Sequence, residues 1–156
     1  MININESGLA QVMQVFISSP SKELAAYRDQ AIKVIRDVGM IHKNYNDPRG
    51  AGLTQGAKSI FELNRDTIMQ CDAFIGLYGF GGVWRPASHP GIAQIHPELL
   101  TDADKLIMEY EYEWAQQAGL YLFRFMRVDK TEDVPFTPVD HRMDRFRVRL
   151  MTSAVG

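Results

Sequence analysis

The chain has 156 residues, a common size for one domain and enough to bury a substantial core. Its formal net charge of −2 excludes a global basic field, so neither nucleic acid nor acidic lipid is expected as a partner. The single cysteine, Cys71, excludes an internal disulfide and a cysteine-cluster zinc site. No apolar run approaches the roughly 20 residues of a membrane span and no signal-peptide pattern opens the chain, so we expect a cytoplasmic protein without a membrane partner.

Strand and helix patterns alternate along the chain. The first confident strand carries the apolar run Val15, Phe16 and Ile17, and Ser19-Pro20 follows it with the residue types of a helix N-cap and first helical position. Residues 1–10 are expected to be a loose lead-in to a single domain over 11–152. The predicted strands are at 11–19, 40–45, 72–79 and 120–128, of which the second is short. The predicted helices are one that ends at Gly39 and others at 57–70, about 102–118 and 139–151. The helix at 57–70 should face inward with Ile60, Leu63, Thr67 and Ile68, and the last helix with Met143, Phe146 and Leu150, its four arginines lying in solvent.

This alternation predicts a parallel sheet covered by helices on both faces. The fold class is therefore α/β, a three-layer sandwich with a four- or five-stranded parallel sheet in flavodoxin-like order. The strand at 15–18 should lie beside the strand at 74–78 and run parallel to it.

The helix at about 102–118 carries three glutamates at alternate positions. Ile107, Glu111, Trp114 and Ala118 have the spacing of a buried stripe, whereas Glu109 and Glu113 are predicted to lie on a different, polar face. A carboxylate on a buried stripe is either paired, or raised in pKa and used chemically. The alternative interpretation is a boundary glutamate whose head group reaches water.

Ligands of open α/β sheets bind beyond the carboxyl ends of the strands. Two segments with suitable residues follow predicted strands there. Ser18 and Ser19 precede a predicted helix start, whose free N–H groups suit an anion. The segment after Tyr78 is rich in glycine, which lets backbone approach a ligand closely, although it matches neither a P-loop nor a dinucleotide fingerprint. The candidate ligand-binding residues are Ser18, Ser19, Tyr78, Gly79, Gly81, Gly82 and Trp84, the last of which would either stack on a base or cap the core.

Other kinds of chemistry have little support in the sequence. The four histidines are scattered without a zinc-binding motif, and no GxSxG nucleophile elbow occurs, so no metal site and no bound cofactor are expected. Cys71 closes a helix before a strand, where a small buried hydrophobe is the simpler interpretation. Arg28 and Arg65 would contact either a phosphate or ordinary surface partners.

Three ordered blocks of the sequence resemble a known family. They are VFISSPSKELAAYRDQAI, SIFELNRDTIMQCDAFIGLYG and MEYEYEWAQQAG, and together they span roughly residues 13–150. They are similar to the TIR-like family catalogued as domain of unknown function 4062. The resemblance implies a TIR-like fold related to TIR domains and nucleoside 2-deoxyribosyltransferases, at the N-terminus of a larger protein or in a homo-oligomer.

The resemblance also implies a function. The transferases carry a Glu-x-Gly-x-Ala pattern with the glutamate as nucleophile, and its counterpart here places Glu111 at that position, with Glu113 and Trp114 in place of smaller residues. The expected function is cleavage of a nucleotide N-glycosidic bond, with NAD as the substrate, in a signalling or defence protein. The alternatives are a non-catalytic self-association module and a nucleoside deoxyribosyltransferase-like hydrolase.

Overall fold

The computed structural model describes residues 2–4, 10–19, 23–43, 59–81, 84–128 and 140–153. Within them, no helix is both long and apolar enough to cross a bilayer. The strands are β1 (Ile2–Ile4), β2 (Ala10–Val12), β3 (Gln14–Ser18), β4 (Ile41–Lys43), β5 (Ala73–Tyr78) and β6 (Tyr121–Met126). The helices are α1 (Ala25–Asp37), α2 (Ile60–Gln70), α3 (Pro90–Ile95), α4 (Ile107–Gln117) and α5 (His141–Ser153), with short 3₁₀ turns at Pro86–Ser88 and Pro97–Asp102.

A four-stranded parallel sheet forms the centre of the molecule, in the order β4-β3-β5-β6. The predicted three-layer α/β class is confirmed, and so is the parallel pairing of the strands at 15–18 and 74–78. The short strand predicted at 40–45 is present as β4. The strand predicted at 11–19 is divided into β2 and β3, and β2 pairs with β1, inside the segment expected to be a loose lead-in, in a separate antiparallel ladder.

Side chains that alternate along each strand divide the core in two. Phe16, Phe74 and Tyr78 face the larger core, which is covered by α2, α4 and α5. Val15, Ile17 and Leu77 face the smaller core, which is covered by α1. The last helix buries Met143, Phe146 and Leu150 in the larger core, as its spacing predicted.

The first helix does not start where the sequence predicted. It begins at Ala25 after Leu24, which makes no side-chain cap, whereas Ser19 is buried and residues 20–22 lie outside the described residues. The carboxylate of Glu23 accepts hydrogen bonds from Phe80 N at 2.9 and 3.0 Å and from Gly81 N at 3.2 Å. This tertiary contact holds the entry segment against the exit of β5, which outweighs the local Ser-Pro capping signal.

The glutamate helix also starts later than predicted. The stretch before it folds into the short turns and α3, each beginning with proline, and α4 begins only at Ile107. Ile107 N donates to the carbonyl of Trp84 at 2.9 Å. Leu106 N donates to Glu109 Oε2 at 3.0 Å. These bonds satisfy helix N-terminal donors that would otherwise lack partners.

The predicted solvated arginine face of the last helix is wrong for two of its four members. Arg147 is buried and donates to the carbonyl oxygens of Gly79, at 2.7 Å, and Arg127. Arg142 bonds two carboxylates, those of Glu109 and Asp102. Both guanidinium groups therefore tie α5 to segments that are distant in sequence, which helical spacing alone does not reveal.

Candidate functional site

The sheet has its topological switch point between β3 and β5. From β3 the chain crosses to β4 on one side, and it returns to β5 on the other side. Ligands of open α/β sheets bind in the crevice outside the carboxyl ends of two such strands. Ser18 ends β3 and Tyr78 ends β5, so two of the predicted ligand-binding residues stand at this crevice.

The absence of a side chain at Gly76 shapes the floor of the site. Ser18 and Gly76 are register partners on neighbouring strands. A Cβ built at Gly76 would lie 2.3 Å from the hydroxyl oxygen of Tyr78, so the phenol ring of Tyr78 folds back across the glycine. Tyr78 is fully buried, and among the described residues its hydroxyl has no hydrogen-bond partner. Such a buried unsatisfied group is uncommon and marks a place where a partner is expected.

Glu111 reaches this floor from α4, as the helical stripe predicted. Ser18 Oγ donates to Glu111 Oε1 at 2.8 Å, and the glutamate is only 3% exposed. Burial raises the pKa of Glu111 to about 8, although the bond from Ser18 lowers it somewhat. Among the described residues no cation pairs with Glu111. Of the two predicted alternatives, a paired carboxylate or one with a raised pKa, the second therefore applies.

The Tyr78 hydroxyl belongs electrostatically to the same group. Burial, and next the neighbouring carboxyl of Glu111, raise the pKa of Tyr78 well above its ordinary value. Ser18, Tyr78 and Glu111 therefore form a small polar cluster in an otherwise apolar core. One carboxyl and two hydroxyls can donate hydrogen bonds to a sugar and accept hydrogen bonds from it. The ionised carboxyl can also stabilise a nearby cation.

Glu109 is not on a polar face, which corrects the prediction. It is 1% exposed, and Arg142 Nε and an amino group donate to its two oxygens at 2.8 and 3.0 Å. Glu113 does lie at the boundary, with its side chain about one-third exposed and 2.6 Å from Lys105 Nζ. Two of the three glutamates are therefore buried, one of them compensated by arginine and the other, Glu111, not.

The glycine-rich exit of β5 is already occupied by groups of this chain. The carboxylate of Glu23 bonds Gly81 N, and Arg147 donates to the carbonyl of Gly79. A Cβ at Gly79 would meet that same carboxylate at 2.3 Å, so the close approach permitted by the glycine is made by Glu23. Gly82 lies outside the described residues.

Aromatic side chains fill the space between α2 and α4 beside the cluster. Phe61 stacks edge-on against Trp114, with ring centroids 5.0 Å apart, and against Tyr110 at 5.3 Å. Trp84 packs against the larger core, and its neighbour Arg85 bonds Asp104 and Asp140. The structure thus brings Ser18, Tyr78 and Glu111 together, whereas Trp84 caps the core near the start of α4.

Several residues at or near the site escaped the sequence analysis. Gly76 carried the signal of a glycine inside a strand, which marks a close approach. Asn64 is 2% exposed with its side-chain oxygen unpartnered among the described residues, and its spacing of four from Ile60 and Ile68 placed it on the inward stripe of α2. Glu23 gave no local signal, because its partners lie 57 and 58 residues away.

The structure also shows the surroundings of the candidate nucleophile Cys71 and of the candidate phosphate-binding residue Arg65. Cys71 is buried, and burial raises the pKa of its thiol to about 11, which removes the thiolate needed for nucleophilic chemistry. Arg65 lies 3.7 Å from Asp66, an exposed pair. In the described part of the chain, no three histidine, cysteine, aspartate or glutamate side chains are grouped so as to hold a metal ion.

Comparison with known proteins adds the family. No curated protein matches the sequence. Residues 14–154, nearly the whole chain and all of the parallel sheet, match the family described as Domain of unknown function (DUF4062), and the chain therefore belongs to that family.

Proposed function

We propose that this domain cleaves a nucleotide N-glycosidic bond, with the nicotinamide–ribose bond of NAD as the target and Glu111 as the catalytic carboxyl. The observation that carries the proposal is a fully buried carboxyl that has no cationic partner in the described part of the chain and lies at the switch point of a parallel sheet. An unpaired buried carboxyl destabilises a fold in its charged form, and perturbed groups of this kind concentrate at functional sites.

The chemistry requires a negative charge beside an anomeric carbon. As the glycosidic bond breaks, the ribose carbon acquires oxocarbenium character, and a nearby carboxylate stabilises that charge or attacks the carbon before water does. The nicotinamide of NAD is cationic while bonded to ribose and leaves as a neutral molecule, so no general acid has to protonate it. A water molecule completes the reaction: its oxygen bonds the ribose carbon, and its proton passes to the carboxylate of Glu111 or to solvent.

The raised pKa of Glu111 suits a cationic substrate. In the free protein a carboxyl with a pKa of about 8 is mostly neutral at pH 7, which makes its burial tolerable. A pyridinium cation placed next to it favours the ionised form and lowers its pKa. Substrate binding would therefore release the proton and create the charge only when the cation is present. Ser18, which donates to Glu111 Oε1, would orient the carboxylate.

Tyr78, the third member of the cluster, has a supporting role. The unpartnered hydroxyl of Tyr78 would bond a ribose hydroxyl, which would satisfy its hydrogen-bonding capacity. Because Tyr78 is 0% exposed and Glu111 is 3% exposed, the groups that bury them must move before a dinucleotide can enter. We therefore expect an isolated domain at rest to be weakly active.

The test is NAD consumption by purified protein carrying Glu111→Gln, which keeps the shape and removes the charge. Loss of a nucleophile or charge stabiliser is expected to lower the rate by a factor on the order of 10³. The matched control is Glu113→Gln on the same helix, whose side chain is partly exposed and paired with Lys105, and it should change the rate little. Equal losses in the two variants would remove Glu111 from the mechanism.

A second candidate is a non-catalytic interaction module. The observation in its favour is a large exposed aromatic surface on the opposite face of the sheet, where Tyr121, Phe123 and Phe125 are all more than half exposed. Absence of NAD loss in concentrated unmutated protein, together with no release of free base from nucleosides, would favour the module over both glycosidic chemistries.

A further inference from the structure

The face of the sheet opposite Glu111 is only partly covered. Side chains of α1 pack over β3 and part of β5, with Leu24 and Ile35 buried among Val15, Ile17 and Leu77. Beyond them the outward side chains of β6, Tyr121, Phe123 and Phe125, are 68%, 51% and 58% exposed. A sheet face this apolar ordinarily lies against a helix.

An open groove of about 650 Å³ runs between α1 and β6. We call it the α1–β6 groove. The lining residues that matter here are Tyr27, Val34 and Ile35 of α1, Leu77 of β5, Phe125 of β6 and Arg127. The outward side chains Ala73 and Leu77 of β5 are already buried in the smaller core, so the exposed strip beside the groove follows β6.

The outer side of α1 offers a helix of the right kind. Tyr27, Val34 and Val38 follow one another at i, i+7 and i+11, and each is at least half exposed. These two exposed apolar surfaces, a helix stripe and a strand stripe, thus lie side by side. A two-fold axis placed between them brings the helix stripe of one copy onto the strand stripe of the other, and the reverse.

The area agrees with a pair of identical chains. The four aromatic residues Tyr27, Tyr121, Phe123 and Phe125 are between 51% and 68% exposed. At roughly 200 Å² for each side chain they leave about 450 Å² open, already within the range of the largest patch on a typical monomer. The exposed valines and the polar rim extend this toward the roughly 800 Å² per partner of a standard interface.

Charge does not oppose the pairing. The groove is lined by one charged side chain, Arg127, and its guanidinium lies 3.3 Å from the buried carboxylate of Glu23. On the solvent side of α1, Lys33 and Asp37 pair with each other at 2.5 Å. The one charged residue that lines the groove is therefore compensated by a carboxylate of the same chain.

We propose that the α1–β6 groove is the interface of a two-fold symmetric homodimer in which α1 of each copy packs on β6 of its partner. The proposal is independent of whether Glu111 is catalytic. The full chain should sediment as a dimer at micromolar concentration, in an equilibrium that sedimentation velocity can follow.

Two substitutions test the two halves of the interface. Val34→Glu alters the helix stripe and Phe123→Glu alters the strand stripe, and both positions are exposed, so folding should persist. Each contact occurs twice in an isologous dimer, so a tenfold weakening of each gives roughly a hundredfold weaker dimer. Leu100→Glu is the control, because Leu100 is 60% exposed on a 3₁₀ turn outside the groove, and it should leave the dimer intact.

Mixing variants tests the helix-on-strand arrangement itself. Val34→Glu and Phe123→Lys proteins should each be monomeric alone, and together they should form a heterodimer in which glutamate faces lysine at one contact while the other contact is unaltered. An unmutated protein that remains monomeric at high micromolar concentration would overturn the proposal. So would a dimer unaffected by either substitution, or one that mixing fails to recover, and capture of a helix from an unrelated protein by a monomer would assign the groove to that partner instead.

Discussion

Three glutamates within five residues of α4 have three different environments. Glu109 is neutralised by arginine, Glu113 reaches water beside Lys105, and Glu111 is buried and accepts a hydrogen bond from the hydroxyl of Ser18. Helical periodicity predicted the position of Glu111 and missed that of Glu109, because the arginine that compensates Glu109 lies 33 residues away. Whether a charged side chain can be buried depends on its ion-pair partner as much as on its position along the helix. A partner that is distant in sequence leaves no local pattern.

Because Glu111 keeps its proton in the folded protein, the fold should become less stable as pH rises. Its pKa is about 8 in the folded protein against 4.5 in the unfolded chain, so between these values the folded state holds a proton that the unfolded state has lost. The free energy of unfolding should therefore fall from about pH 5 to pH 8 by roughly 3–5 kcal/mol from this group alone.

Glu111→Gln cannot ionise and should lack this contribution. Denaturant titrations of both proteins at pH 5 and pH 8 give the comparison, in which the variant should gain relative to the unmutated protein as pH rises. A constant difference between the two proteins across that range would show that Glu111 does not change protonation on unfolding.

Glu109→Gln should destabilise the fold without acting on catalysis. The substitution leaves Arg142 paired only with Asp102 and weakens the bond that caps Leu106 N. Because the Arg142 side chain is 17% exposed, the loss should be moderate, about 1–3 kcal/mol. Thermal melts beside Glu113→Gln would measure it, and a variant as stable as that control would contradict the structural role.

Gly76→Ala should disturb the floor of the site. The new Cβ would lie 2.3 Å from the Tyr78 hydroxyl, and the fully buried ring has little room to move, so a loss of about 1–3 kcal/mol is expected. Gly91→Ala is the control, because a Cβ there meets only the His89 ring at 3.5 Å and α3 should gain from the alanine. Similar melting temperatures for the two variants would mean that the ring rearranges freely.

At the scale of elements, the sequence predicted the strands well and the helix starts poorly. Buried parallel strands are short apolar runs, and β5 lies within one residue of the strand predicted at 72–79, whereas β3 contains the apolar run predicted at 15–17 but begins three residues after the predicted start at 11. Helix starts depend on tertiary contacts: at α4 the Ile107 N–H donates to the carbonyl of Trp84, and just before α1 the carboxylate of Glu23 accepts from Phe80 N. A Ser-Pro pair is a weak signal beside a buried carboxylate that binds two backbone N–H groups.

Glu23→Ala tests this view of α1. It removes the acceptor of Phe80 N and Gly81 N and the partner of Arg127, so buried donors lose their bonds. We expect a loss of roughly 2–4 kcal/mol in unfolding free energy. The control Asp37→Ala, at the end of α1, removes an exposed carboxylate paired with Lys33 and should cost at most about 1 kcal/mol. Denaturant titration compares the two, and equal losses would refute the tie between α1 and β5.

At the scale of the molecule, the two faces of the sheet are unequal. The prediction of helices on both faces is correct, yet α1 is the one described helix whose buried side chains join the smaller core. The sequence of β6 has apolar side chains on both faces of the strand. This pattern does not tell which of those side chains another element covers. The candidate site likewise depends on assembled contacts, because Ser18, Tyr78 and Glu111 meet only once three elements have packed.

The two sides of the sheet are physically connected through α1. Its outer stripe borders the α1–β6 groove, and Glu23, two residues before its start, binds the backbone that follows Tyr78. Pressure of a partner on α1 would therefore be transmitted to the edge of the site that buries Tyr78 and Glu111. If NAD is the substrate, NAD loss should rise more than linearly with protein concentration, because pairing would favour the conformation that admits it.

Val34→Glu should remove that rise while leaving the cluster around Glu111 in place. NAD loss measured across a dilution series, with sedimentation on the same samples, would show activity following the dimer fraction in the unmutated protein and in Leu100→Glu, and staying near the monomer value in Val34→Glu. A dilute monomer with full activity per chain would contradict coupling between the two faces, even if the dimer itself forms as proposed.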